Sequence, residues 1–226
     1  MSSSEIASPS RLSKGDEITF SPVIVRQSPV SRTPQRGNLT GNPRTVRDNV
    51  ADLYNLIQKW NAAHLAGADI LAKIHALKIA AMEPVASEER DIYPDGIQYY
   101  CDLLENTCKD LSSIVMKMQL CAKQLRAMCE LENYQHRSRR GAEDTEPTPM
   151  FLTWPVERFG EVSSDIVSQY AAELEVKNSI LEGVCHCTTR EALLFHVAAW
   201  AHQPAMVNEN ATRNKLEAML IETGHR

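Results

Sequence analysis

Hydrophobic positions divide this chain into a patterned body and an unpatterned head. From Val46 onward apolar residues recur at alternating steps of four and three: Val46, Val50, Leu53, Ile57 and Trp60. The same register runs on through His64 and Gly67 to Leu71 and Ile74. A seam of that period is the mark of a helix packed along its whole length on another helix. It predicts a first helix from about Pro43 to Ala81, stopped by Pro84. At 1.5 Å per residue such a rod is roughly 50–60 Å long. His64 and Gly67 weaken the middle of the seam. They mark either a hinge or partner pocket, or a loose stretch facing a large residue opposite; the second reading is favoured.

Residues 84–95 carry Pro84 and Pro94 just before Gly96, and read as a loop. The strongest pattern follows: Ile97, Cys101, Leu104, Cys108, Leu111, Val115, Met118, Ala122, Leu125 and Cys129. No charged residue falls on that seam. A second flank of Tyr100, Leu103, Ile114 and Met128 widens it, which suits a helix with more than one neighbour. Two long helices joined by a short loop predict an antiparallel, coiled-coil-like hairpin.

A polar linker, RSRRGAEDTEPTP (residues 137–149), precedes PMFLTWPVERF, which opens a third helix with Thr153 as a cap before Pro155. Phe159, Val162, Ile166, Tyr170, Leu174 and Leu181 continue its stripe. Thr188-Thr189-Arg190-Glu191 reads as a capping box for a fourth helix ending by Pro204. A fifth spans about 209–223, with Gly224 as a left-handed cap. No segment alternates convincingly with period two. The fold class expected is all-α: a long antiparallel helical hairpin plus three C-terminal helices, occupying residues 44–226, with linkers near 83–95 and 138–150.

Residues 1–43 lack the pattern. Five prolines interrupt them, and their Ser, Pro and Arg content cannot bury enough apolar surface to offset the entropy of ordering. A disordered N-terminal tail is expected there. Residues 1–45 carry six basic against three acidic side chains, and the rest 18 against 26. The acidic body argues against general nucleic-acid binding, which rests on neutralising phosphates. No apolar run approaches the ~18 residues of a membrane span, and MSSSEIASPS has no apolar stretch of the secretory kind. The six cysteines, four of them in the second helix, are therefore expected as reduced thiols, small apolar residues of a protein of the cytosol or nucleus.

Catalytic constellations are missing. The nine glycines form no phosphate-cradling loop. Glu130 and Glu132 flank a single leucine and so point to different helix faces. Cys185-His186-Cys187, with His196 and His202 downstream, is the best metal candidate, but one intervening residue is too few for the usual zinc pair. No metal, cofactor or catalytic residue is expected.

The tail carries a different chemistry. Ser8-Pro9-Ser10-Arg11 and Thr33-Pro34-Gln35-Arg36 share the order hydroxyl, proline, any residue, basic residue. That order resembles the preferred substrate of cyclin-dependent kinases. Ser21-Pro22 and Ser28-Pro29 carry the minimal pair. Ser8, Ser21, Ser28 and Thr33 are thus candidate phosphorylation sites, each phosphate adding about −1.5 to −2 charges.

Several pieces of the body together resemble the cyclin-dependent kinase 2-interacting proteins. They are CELENY (129–134), TWP (153–155) followed by Phe159, WAHQP (200–204), LEAMLIETGHR (216–226) and DNVADLYNLIQKW (48–60). The resemblance covers residues 46–226 and excludes the tail, the Cys-His-Cys stretch and most of 82–96. It implies a nuclear, non-enzymatic adaptor in DNA replication and genome maintenance. Its implied partners are cyclin-dependent kinase 2 and cyclin, a second origin-firing kinase, the ATR-interacting protein and a chromatin-associated complex of AAA+ ATPases. The last would connect it with replisome protein turnover and large ribosomal subunit maturation. Trp154, Phe159, Trp200, His202, Pro204, Glu222, Gly224, His225 and Arg226 lie in the resembling motifs and are the candidate partner-binding residues. Several have structural readings too: Trp154 and Trp200 as core, Gly224 as a cap. The competing class is a self-associating coiled-coil scaffold or tether.

Overall fold

The computed structural model describes residues 39–82, 93–140 and 149–225. These residues form five helices and no strand: α1 Asn42–Met82, α2 Ile97–Arg140, α3 Val156–Val184, α4 Arg190–His202 and α5 Glu209–Glu222. The hairpin plus three C-terminal helices expected from the period is what the chain builds. The tail, with Ser8, Ser21, Ser28 and Thr33, lies outside the described residues, as does Arg226.

The seams explain the packing. Along α1 every step from Val46 to Ile74 is buried except His64, which is half-buried. Along α2 the seam is buried except at its second and last positions, Cys101 and Cys129, which are half-buried. Ile114 and Met128 on the second flank are buried as well. That second face is needed because α2 packs along both α1 and α3. The hairpin closes where Asn42 at the start of α1 donates from Nδ2 to Glu132 Oε1 near the end of α2, at 3.1 Å. Across α2, the two flanking helices meet through large side chains: the rings of Trp60 (α1) and Tyr170 (α3) lie edge to face at 5.2 Å. Both short helices, α4 and α5, also pack on α1 and α3. They cover the side of the bundle where α1 and α3 face each other.

Helix ends depart from expectation in instructive ways. The N-cap of α3 is Pro155, with no side-chain cap of its own. Thr153 does not cap it; its hydroxyl instead donates to Glu222 of α5. The cap of α4 is Thr189, whose Oγ1 accepts from Ala192 N at 3.2 Å, so the capping register sits one residue beyond the Thr188–Glu191 box. Gly224 caps α5 as expected, at φ +74°. His225 N donates to Leu220 O and Gly224 N to Ile221 O, the two bonds of a Schellman end.

The register of α1 also runs one step further than apolar residues alone show. The position after Ile74 is Lys78, and it is buried.

Candidate functional site

Apart from CELENY near the end of α2, the resembling motifs, scattered through the sequence, converge in two side-chain clusters and the groove between them. The first cluster is built on Trp200. Its ring is fully buried and lies against Gly67, where a Cβ would stand 2.1 Å from ring carbon Cζ2. Gly67 is therefore the place on α1 where a large residue opposite is received, and His64 stacks on the same ring with centroids 6.3 Å apart. Trp200 Nε1 donates to His64 O at 3.0 Å.

Beneath the indole lies a buried ion pair. Lys177 and Glu173, one turn apart on α3, are both fully buried at 2.9 Å. The ammonium also donates to Trp200 O at 2.8 Å and lies 4.5 Å from the Trp200 ring centroid. Glu173 Oε2 accepts from Ala205 N at 3.0 Å. Oε1 faces the ammonium off the hydrogen-bonding direction, so that contact is ionic more than directed. A buried charge is tolerated only when paired and hydrogen-bonded. Here the charges fasten α3 to the end of α4 and the turn after it.

Burial lowers the Lys177 pKa, with Glu173 opposing the shift. Burial, with the Lys177 charge second, lowers His64 to about 4, so its imidazole is neutral at pH 7. Gln203 completes the cluster: its backbone turns left-handed at φ 46°, and its Oε1 accepts from Trp60 Nε1 at 3.0 Å. His202 and Pro204, on either side, are exposed.

The second cluster is built on Glu222. This buried carboxylate accepts Thr153 N at 2.8 Å, Trp154 N at 3.2 Å and the Thr153 hydroxyl. A negative group at a helix N-terminus, satisfying backbone donors that lack helical partners, is favoured by both hydrogen bonding and the helix dipole. Thr153 and Trp154 precede the Pro155 N-cap, so Glu222 ties the segment leading into α3 to α5 and sets its charge near the positive end of that helix. Trp154 is half-buried, tilted on the buried Phe159 at 5.2 Å, with the Arg158 guanidinium 5.6 Å from its ring. His225 Nε2 donates to Arg47 O at 3.0 Å and ties the end of the chain to α1.

Between the clusters lies a groove of about 430 Å³ walled by α1, α3 and α5. Ile57, Tyr170, Met206, Leu216 and Leu220 give it an apolar floor; Tyr54, Gln58, Asn61, Arg213 and Glu217 give it a polar rim. Three resembling segments meet there: DNVADLYNLIQKW brings Tyr54, Ile57 and Gln58, WAHQP brings Gln203, and LEAMLIETGHR brings Leu216, Glu217 and Leu220. Tyr170 was singled out in the sequence only as part of the α3 stripe, and Met206, Thr212 and Arg213 not at all. They line the groove only because α3 and α5 fold back on α1. The motif residues themselves divide: Phe159, Trp200 and Glu222 are buried, Trp154 and His225 half-buried, and His202 and Pro204 open to solvent.

Among the described residues no three His, Cys, Asp or Glu side chains gather as metal ligands. No described helix is long and apolar enough to cross a membrane. The Cys-His-Cys stretch turns the chain from α3 to α4, where His186 Nδ1 meets Tyr93 OH at 3.0 Å. The cysteines depart from expectation at one pair: Cys101 and Cys185 are joined as a disulfide, while Cys108, Cys121, Cys129 and Cys187 are free.

No family model matches the chain. Four curated relatives do, all of them described as cyclin-dependent kinase 2-interacting protein. The Mus musculus protein is 33% identical over 208 residues, covering 86% of this chain and 95% of the relative. Those of Bos taurus and Homo sapiens are each 32% identical with the same coverage. Similarity of that extent makes the chain a member of the cyclin-dependent kinase 2-interacting protein family.

Proposed function

We propose that this protein is a non-enzymatic adaptor of the cell cycle, acting in DNA replication and genome maintenance in the nucleus. In this reading it binds cyclin-dependent kinase 2 with its cyclin. It also connects that kinase with an origin-firing kinase, the ATR-interacting protein and a chromatin-associated AAA+ ATPase complex. Through the last it would serve replisome protein turnover and large ribosomal subunit maturation. The observation that carries the reading is membership of a family whose curated members are named for interaction with that kinase, over 86% of this chain.

The groove beside α5 is where we place partner binding. An apolar floor with a polar rim fits a short amphipathic segment of a protein partner: side chains fill the floor while Gln58, Asn61, Arg213 and Glu217 fix its register. The Ser-Pro and Thr-Pro sites of the tail make the protein a substrate of the kinase class it binds. Their phosphates would reverse the tail's basic balance.

The test is capture from nuclear extract, read by mass spectrometry, with the intact protein and a rim variant carrying Tyr54→Ala and Arg213→Glu. Both residues are exposed, so the fold is expected to survive. Removing the chain end is a poorer probe, because Gly224 and His225 complete α5 and bind Arg47. Recovery of cyclin-dependent kinase 2 or AAA+ ATPases by the intact protein, lost in the rim variant at unchanged melting temperature, supports both function and site. Recovery by both baits moves the interface off the groove. Recovery of the bait alone removes the adaptor reading and favours the self-associating scaffold.

A further inference from the structure

We propose that Cys101 and Cys185 form a reversible redox-modification site, a dithiol that closes to a disulfide and locks the corner between α3 and α4 to the start of α2. The fold brings together two thiols 84 residues apart, one in the first turns of α2 and the other at the C-cap of α3. They differ from the rest of the cysteines. Cys108, Cys121 and Cys187 are buried, and burial raises their thiols, Cys108 to about 11. Cys129 is engaged, donating to Leu125 O at 3.1 Å and Val156 O at 3.2 Å, and burial raises it to about 11 too. A thiol held so high is a poor nucleophile at neutral pH. Cys101 and Cys185 are both half-buried, with surface left for a reagent to approach.

Lys78 Nζ donates to the Cys185 carbonyl at 2.7 Å and fastens this corner to α1. Burial lowers the Lys78 pKa, and its charge acts on the Cys187 thiol, where it opposes the rise that burial causes. Its seam position on α1 thus delivers Lys78 to this corner. Cys187, two residues on, is occupied with the Gly183 carbonyl at 3.5 Å and is the neighbour the site must discriminate against.

The chemistry needs a small-molecule disulfide such as glutathione disulfide. One protein thiolate attacks a glutathione sulfur, forming a mixed disulfide and releasing one glutathione thiolate. The second protein thiolate attacks the protein sulfur of that mixed disulfide and releases the other. Two protein thiols are oxidised to one disulfide, one glutathione disulfide is reduced to two thiols, and the two protons go to the released thiolates. Excess reduced glutathione runs the sequence backward.

Closure adds a covalent link between α2 and α3, which otherwise meet through packing and through thiol–carbonyl contacts of Cys108 and Cys129, and it does so at the corner from which α4 departs. That helix begins at Arg190 and carries Leu194 and Phe195 largely exposed. The bridge therefore fixes how α4 is presented.

The full chain is equilibrated in glutathione buffers from fully reduced to fully oxidised, acid-quenched, alkylated and mapped by peptide mass spectrometry, with melting temperature read in parallel. One cross-link, Cys101 to Cys185, is expected to appear and to vanish on return to reducing buffer. Cys108, Cys121, Cys129 and Cys187 should remain alkylated throughout. The bridged form should melt about 5–10 °C higher than the reduced form, and Cys101→Ser and Cys185→Ser should abolish both cross-link and shift. Because reduced and oxidised wild type are compared directly, the test holds even if a variant folds poorly. A bridge to Cys187, a stable glutathione adduct as end product, or a cross-link that leaves melting unchanged would each overturn the proposal.

Discussion

Substituting Gly67 by alanine puts the packing of the Trp200 cluster to its sharpest test. In an ordinary helix interior the change stabilises by about 0.8–1 kcal/mol, because alanine loses less backbone entropy. Here the new methyl would stand 2.1 Å from Trp200 Cζ2 and 2.9 Å from Cε2. Carbon atoms in contact prefer about 3.5–4.0 Å, so the ring must retreat by more than an ångström. It has nowhere to go. Its Nε1 is held by His64 O, its backbone carbonyl by Lys177, and the Lys177 ammonium sits 4.5 Å from its centroid. Overpacking a tight core costs about 1–3 kcal/mol or more. Loosening the contacts around a buried ion pair adds to that and the helix-propensity gain subtracts from it, so the net effect should be a loss of about 1–3 kcal/mol. The assay is urea unfolding followed by far-UV circular dichroism, on wild type, Gly67→Ala, Trp200→Leu and the double variant. The sign must reverse with background. With the indole gone, Gly67→Ala should be neutral or stabilise by up to about 1 kcal/mol. A Gly67→Ala protein as stable as wild type, or one equally destabilised in both backgrounds, would refute the claim that this glycine exists to receive that ring.

Two further outcomes follow from the same geometry. Glu222→Ala removes the acceptor for three donors in the segment leading into α3, and should cost about 1–3 kcal/mol in urea unfolding by leaving backbone donors unpaired; hydrogen exchange should rise first at Thr153 and Trp154, and protection there equal to wild type would sink the assignment. His64 has a folded pKa of about 4, below its ordinary 6.5. The stability it contributes is therefore complete above about pH 6.5 and is lost as the pH falls towards 4. A shift of that size corresponds to about 3 kcal/mol when fully expressed, and the partly open ring should deliver about 1–2. Unfolding midpoints of wild type and His64→Gln should approach one another as the pH drops from 7 to 4.5, and parallel curves would count against a buried neutral imidazole. His196, lowered by burial in the same sense, is present in both proteins and cancels.

The division between what was and was not legible in the sequence follows the range of the interactions. Hairpin, helix count and seams were readable because a heptad period is a local property: every residue from Val46 to Ile74 declares its face through its neighbours. The cap at Gly224 was readable for the same reason. Lys78 was hidden by its own chemistry. It occupies the next seam step, but a lysine there reads as the end of the stripe until the Cys185 carbonyl is seen waiting for it. The role of Glu222 was hidden by distance, since the amides it binds lie 69 and 68 positions earlier. The disulfide was hidden twice over: neither spacing nor composition can show which thiols a topology brings together, and the expectation of reduced cysteines rested on compartment rather than geometry. The groove needed the whole fold, because no one of its walls is unusual alone.

The polar interactions answer a question that the seams leave open. A repeating apolar stripe specifies that helices pack, but it permits slippage by a heptad at almost no cost in burial. This bundle has three long helices and two short ones that must find a single place between them. Each short helix is fixed by polar contacts that only one register satisfies. For α4 these are the Lys177–Glu173 pair with the Trp200 carbonyl and the Ala205 amide, and the Trp60–Gln203 bond. For α5 these are Glu222 under the TWP amides and His225 on Arg47. A slip of either helix by one turn would leave a buried charge or several backbone donors unpaired, at several kcal/mol each for a charge and about 1–3 for a neutral donor. The apolar seams supply the bulk of the stability. The two polar clusters select the arrangement, and the groove between them has a defined shape because both of its ends are fixed in this way.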